Sequence, residues 1–219
     1  MKFFYLKTLL ILSAFALFIS CGLTDDDEDT VMSPSLTYPS TNLMATFFEA
    51  GNSEAPTISW NGNQGTLSLS SSIEGISLNS TNGVLNWNRQ LAPGDYNMNV
   101  IATNSEGQTV ANINLSNPFQ GTFIGTYGGT VYFMFEFNSD GTLEVAANNE
   151  NDPDVGSGTW ELNNDVLTAD YTYDTSGEEY SIKGTLTQTN DQAKISGNWY
   201  FEFGAQDGNE GGEFEIFID

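Results

Sequence analysis

The chain contains no histidine, one cysteine (Cys21), and five basic residues against 29 acidic ones in 219. Without histidine or a second cysteine, Cys/His zinc sites, Ser-His-Asp triads, Cys-His pairs and internal disulfides are excluded. The formal charge of −24 argues against a nucleic-acid partner, because phosphate binding needs clustered Lys and Arg. Past Cys21 no stretch keeps apolar residues at i, i+3, i+4 and i+7 for three turns, so helices are not expected.

What is present begins at the N-terminus. Lys2 and Lys7 flank the start of an apolar run from Thr8 to Ile19. Its length suits a signal peptide and falls well short of the roughly 20 residues of a spanning helix. Phe18-Ile-Ser-Cys21 follows, with Phe18 where Leu is usual. This segment resembles the lipobox of bacterial lipoproteins, which implies cleavage after residue 20 and diacylglyceryl attachment at Cys21. Ala14-Phe-Ala16 offers an ordinary signal-peptidase site as the alternative. Two or three acyl chains anchor a protein stably, whereas one binds reversibly.

Residues 21–32 form an acidic tether through Asp25, Asp26, Asp27, Glu28 and Asp29. Like charges keep such a segment solvated and extended. The run also resembles the export signal that sends lipoproteins of some Gram-negative bacteria to the cell exterior. The implied location is therefore the outer membrane, lipid-anchored and facing outward.

The rest of the chain reads as short alternating segments between turn residues, an all-β pattern. Charge divides it. Residues 33–116 hold Glu49, Glu54, Glu74, Asp95 and Glu106 against Arg89, while residues 117–219 hold nineteen acids and two lysines. The junction is placed at Asn117-Pro118. In 33–116 the expected strands are Met44–Phe48, Thr57–Trp60, Gly65–Ser70, Ile76–Leu78, Val84–Trp87, Asp95–Thr103 and Gln108–Leu115, a number and spacing that suit a β-sandwich. Ile76 to Trp87 with its Thr81-Asn-Gly83 turn, Pro93-Gly-Asp-Tyr96, and Val100 to Gly107 resemble the Ig-like and dystroglycan-type cadherin-like modules of bacterial surface proteins. Such modules serve as spacers and adhesion units, and some bind calcium. Asn104 stands here where a carboxylate would be expected, so calcium is not assigned to this domain.

In 117–219 eight strands are expected: Gly121–Tyr127, Val131–Asn138, Thr142–Ala146, Gly158–Leu162, Val166–Tyr173, Glu179–Gln188, Lys194–Phe203 and Gly212–Ile218. One face collects Phe123, Phe133, Phe135, Phe137, Trp160, Tyr171, Ile182, Trp199, Phe201 and Phe214, and the other carries charge. A sheet with one coherent apolar face must bury it, and eight antiparallel strands can do so by closing. The segment resembles a lipocalin-like or calycin-like barrel, with Gly121-Thr-Phe123 in place of the opening Gly-x-Trp. An open β-sandwich is the alternative.

No catalytic constellation emerges, and the chain is read as non-enzymatic. A carboxylate glycosidase needs neither His nor Cys, but nothing in the sequence nominates a pair. Calcium is the candidate cofactor. Its ligands would come from the oxygen-rich loops that hold Asp152 and Asp154, and Asp207, Asn209 and Glu213. Trp160, Tyr171, Tyr173, Trp199 and Tyr200 are candidates to line a barrel mouth, either for an apolar ligand or for stacking on a glycan. A barrel filled by its own side chains is the competing expectation. The reading is a surface-anchored binding or interaction module for adhesion or assembly, with a surface protein or glycan as partner. A carrier of a small apolar molecule or glycan is the alternative.

Overall fold

A computed structural model describes residues 32–219. The signal segment 1–20, Cys21 and the acidic run Asp25–Asp29 lie outside the described residues. Among the described residues all regular elements are strands. The first part contains β1 (Ser35–Thr37), β2 (Asn42–Met44), β3 (Gly51–Asn52), β4 (Thr57–Ser59), β5 (Thr66–Leu69), β6 (Ile76–Leu78), β7 (Leu85–Trp87), β8 (Gly94–Asn104) and β9 (Gly107–Asn117). The second contains β10 (Gly121–Tyr127), β11 (Val131–Phe137), β12 (Thr142–Asn148), β13 (Asp154–Asn163), β14 (Val166–Tyr173), β15 (Glu179–Gln188), β16 (Ala193–Phe201) and β17 (Glu210–Ile218).

The first part is an Ig-like sandwich. Its sheets run β2-β9-β8-β5 and β3-β7-β6, with β1 paired to β4 beside them. Alternation in β8 points Met98, Val100 and Ala102 inward, where they join Leu67, Leu85, Ile113 and Leu115 in one apolar cluster. Two expectations change here. The strands β1 and β2 are three residues each, too short to register as alternation. The expected strand Met44–Phe48 ends at Met44 instead. After Ala45 the chain turns, with Glu49 N–H donating to Thr46 C=O at 3.2 Å and Phe48 at φ +60°. That turn carries Phe47 and Phe48 out of the sandwich core.

The second part is a closed barrel in which each strand pairs with its sequence neighbours and β10 pairs with β17. Closure overturns the open-sandwich alternative: with every strand partnered on both sides, no edge is left. Tight curvature at the wall needs missing side chains. A Cβ on Gly158 would lie 2.0 Å from Asp170 C=O, and one on Gly197 2.0 Å from Lys183 C=O. Glycines at those places let neighbouring backbones approach and bend. The interior is filled. Phe123, Phe133, Phe135, Phe137, Leu167, Ile182 and Ile216 are fully enclosed, and Phe133 and Phe135 meet edge to face at 4.6 Å.

Phe201 keeps the inward side, with its ring centroid 5.0 Å from Trp199 and 6.1 Å from Tyr180. It lies at the rim and not in the enclosed interior: β16 shifts register against β17 between Trp199 and Tyr200, and Phe201 is 48% exposed. Tyr200 is buried on the outer side of the wall and does not line the mouth cavity. The β16–β17 connection folds back over the outer wall, where Ser181 Oγ donates to Glu202 C=O and accepts from Ala205 N–H. Tyr200 is the register partner of Ser181 beneath it.

The two parts form one compact unit. Phe47, Phe48 and Phe119 belong to the barrel's buried cluster, with ring centroids of Phe47 and Phe119 5.0 Å apart and of Phe119 and Phe137 5.3 Å apart. Arg89 lies 4.8 Å over the Phe48 ring. The Gln188 amide donates to Arg89 C=O at 3.1 Å, and the Asn117 amide to Leu91 C=O at 2.9 Å. The barrel end formed by the 137/142, 163/166 and 188/193 turns is therefore stoppered by the sandwich. The opposite end, formed by the 127/131, 148/154, 173/179 and 201/210 turns, faces away from that stopper.

Candidate functional site

Barrel strands alternate in direction, so the residues at the free end come from the last positions of β10, β12, β14 and β16 and the first of their partners. There Tyr127, Tyr171, Tyr173, Tyr180 and Trp199 surround a cavity of about 230 Å³, with Asn148, Asp154 and Glu178 on its polar side. The volume is below the roughly 300–1,000 Å³ of drug-sized pockets. It admits a single ring or a compact head group rather than a long apolar chain.

The rings stand mostly at steep angles to one another. Tyr127 and Trp199 lie 5.8 Å apart at 70°, Tyr173 and Tyr180 5.5 Å apart at 69°, and Tyr180 and Trp199 5.9 Å apart at 63°. Edge-to-face contact is the geometry that the ring quadrupoles favour. It builds walls and a floor rather than one flat platform. Trp199 is held from behind, because Gly211 leaves the space its indole occupies.

The polar side is a short relay. Tyr127 Oη donates to Asn148 Oδ1, and the Asn148 amide donates to Asp154 Oδ2. Tyr180 Oη donates to Glu178 Oε2 at 3.1 Å. Burial pushes the Tyr171 and Tyr173 phenols well above the ordinary tyrosine value. Burial raises Tyr127 as well, with the Asp154 charge adding to it, and raises Tyr180 with help from Glu178. All four are neutral phenols at physiological pH, so the negative charge at the mouth belongs to Asp154 and Glu178.

Of the residues expected at a mouth, Tyr171, Tyr173 and Trp199 line this cavity. Trp160 does not, which corrects that expectation. Its indole N–H donates to Asn138 C=O and Thr142 C=O, both at 3.0 Å, and its ring meets Phe119 at 5.0 Å in the stoppered end. Both tryptophans sit near the C-terminal ends of their strands, but β13 and β16 run in opposite directions. Counting strands would have separated them: the fourth and seventh strands of an up-and-down barrel finish at opposite ends. Sequence reading missed Tyr127, Tyr180, Asp154 as a mouth residue, and Glu178, which all lie at strand ends where alternation gives no signal.

The calcium candidates are not drawn together. Asp152 and Asp154 belong to the 148–154 turn, Asp207 and Asn209 to the β16–β17 connection, and Glu213 to the outer face of β17. The Asn209 amide donates to Phe201 C=O instead of offering its oxygen inward. Among the described residues no three Asp, Glu, His or Cys side chains converge as metal ligands.

The sequence model of the family described as "Putative Ig domain" matches residues 33–118. No curated protein matches the chain. Among solved structures, the chain is similar to a quinonprotein alcohol dehydrogenase-like protein of Bacteroides thetaiotaomicron, at 10% identity and a TM-score of 0.31. The match covers 77% of this chain and 57% of that one, so the chain spans little more than half that protein's length. At this similarity it says nothing of fold or activity.

Proposed function

We propose that this protein is a non-enzymatic, lipid-anchored binding module of the outer-membrane surface that presents the free end of its barrel to a small ligand or a ligand-bearing partner. The observation that carries the reading is the contrast between the barrel's ends: one is stoppered by Phe47, Phe48 and Phe119, and the other holds a cavity walled by tyrosines and Trp199. An Ig-like domain matched over residues 33–118 supports a spacer that holds this end away from the anchor. The filled interior favours capture at the rim over carriage of an enclosed, lipocalin-type ligand.

A thermal-shift screen of the full-length protein against neutral sugars, amines and small aromatics tests the site. Ligands that raise Tm should lose that effect in Val155→Trp, which places an indole at an exposed position on the rim. Absence of any hit that Val155→Trp abolishes would contradict the reading. Anchoring is tested separately. Cys21→Ala should abolish acyl labelling, and neutral residues in place of Asp25–Asp29 should hide the protein from external protease.

A further inference from the structure

We propose that the ligand of the barrel mouth is an organic cation: a quaternary or methylated ammonium group held in a cage of Tyr127, Tyr173, Tyr180 and Trp199 and balanced by Asp154 and Glu178. The inference rests on the mouth being a binding site, and deepens it by naming the chemistry.

Shape comes first. Walls set at 63–70° to one another give a compact round group several aromatic faces at once. A pyranose stacks through one face of C–H groups and is best served by a single open aromatic platform, whereas these walls meet at steep angles. Charge points the same way. Aromatic faces are negative and attract cations, most strongly for Trp and when the cation is desolvated. Phenols are neutral at physiological pH and keep that face character without adding full charges of their own.

Neither carboxylate has a cationic partner among the described residues. The described residues contain three cations, and none lines the cavity. Lys194 pairs with Glu215 at 3.0 Å, Arg89 lies over Phe48 at the other end, and Lys183 is exposed on the outer wall. An anionic ligand would meet Asp154, Glu178 and the field of a strongly acidic chain. A cation meets attraction at every distance.

The test is a titration of the purified full-length protein with choline in polyoxyethylene detergent, followed by tryptophan fluorescence, with a Trp60→Phe/Trp87→Phe/Trp160→Phe protein isolating the Trp199 signal. The control ligand is 3,3-dimethyl-1-butanol, which has the same shape with carbon in place of the charged nitrogen. Saturable one-to-one choline binding is expected, with the neutral isostere at least about tenfold weaker. Potassium at equal concentration should not compete, which separates the cage from general cation condensation. Glu178→Gln should weaken choline several-fold. Tyr180→Phe should preserve binding and Tyr180→Leu should lose it, so ring character is read apart from packing even if a Trp199 variant fails to fold. Equal binding of choline and its isostere would overturn the proposal in favour of a plain apolar pocket. Saturable binding of a neutral sugar without choline would overturn it while leaving the mouth a binding site. No binding of any of these would overturn both.

Discussion

Both ends of the barrel are lined with aromatic rings, and they do opposite things. At one end Phe47, Phe48, Phe119, Phe137 and Trp160 pack into a plug, and the only polar atom of those rings, the Trp160 N–H, is spent on two backbone carbonyls. At the other, Tyr127, Tyr173, Tyr180 and Trp199 keep hydroxyls and a carboxylate pair beside a water-accessible cavity. Aromatic content alone does not separate core from site. Phenyl rings without polar atoms can be sealed, whereas phenols and carboxylates stay where water or a ligand can reach them.

The largest effect is expected from breaking the closed end. Phe119→Ala opens a cavity among four aromatic rings, and loss of about 3–5 kcal/mol of unfolding free energy is expected by urea titration. Phe47→Ala should cost a similar amount although it lies in the sandwich part of the sequence. A loss under ~1 kcal/mol for both would mean that the plug contributes little.

At the open end the same chemistry should cost much less stability. Tyr180→Leu removes a half-buried ring with one solvent-facing hydrogen bond, and a loss of about 1 kcal/mol is expected, typical of a single point mutation. Its binding loss should exceed its stability loss. The reverse order would reclassify the mouth as part of the core.

Alkaline pH sharpens the contrast further. Buried Tyr171 and Tyr173 bind their protons more tightly in the folded state than in the unfolded chain, which releases them near pH 10. The unfolded state therefore holds fewer protons above pH 10, and stability is full below that value and falls as pH rises. Tyr38, in the sandwich, is pushed up to about 12 by burial and adds a fall between pH 10 and about 12. Urea midpoints measured at pH 9 and pH 11.5 should show that Tyr171→Phe flattens the dependence. A Phe119→Ala protein should keep the same slope, since the closed end contributes no phenol from its own rings. The smallest effect is expected at Lys194→Met, within ~1 kcal/mol, because its pairing with Glu215 is at the surface.

Much of this architecture was legible in the sequence because alternation is a local signal. Phe133, Phe135 and Phe137 against Met134 and Glu136 declare an inward face at once, and Asp140-Gly141 declares the following turn. The plug was not legible. Phe47 and Phe48 are adjacent, so no strand can bury both on one face, and that conflict was the available clue that they leave their sheet. Phe119 sits just after Pro118 in a junction, where an apolar residue has no local partner to reveal it. The mouth was half legible: Tyr171, Tyr173 and Trp199 stand out as aromatics, but Asp154 and Glu178 gain meaning only once closure brings separate turns to one rim.

The most direct test of this account follows the indole N–H signals of Trp60, Trp87, Trp160 and Trp199 by NMR while choline is added to the full-length protein. These are the four tryptophans of the chain, and Trp160 and Trp199 report on opposite ends of the barrel. The account predicts a saturable shift at Trp199 with Trp160, Trp60 and Trp87 unmoved. A shift at Trp160, or none at Trp199, would contradict it.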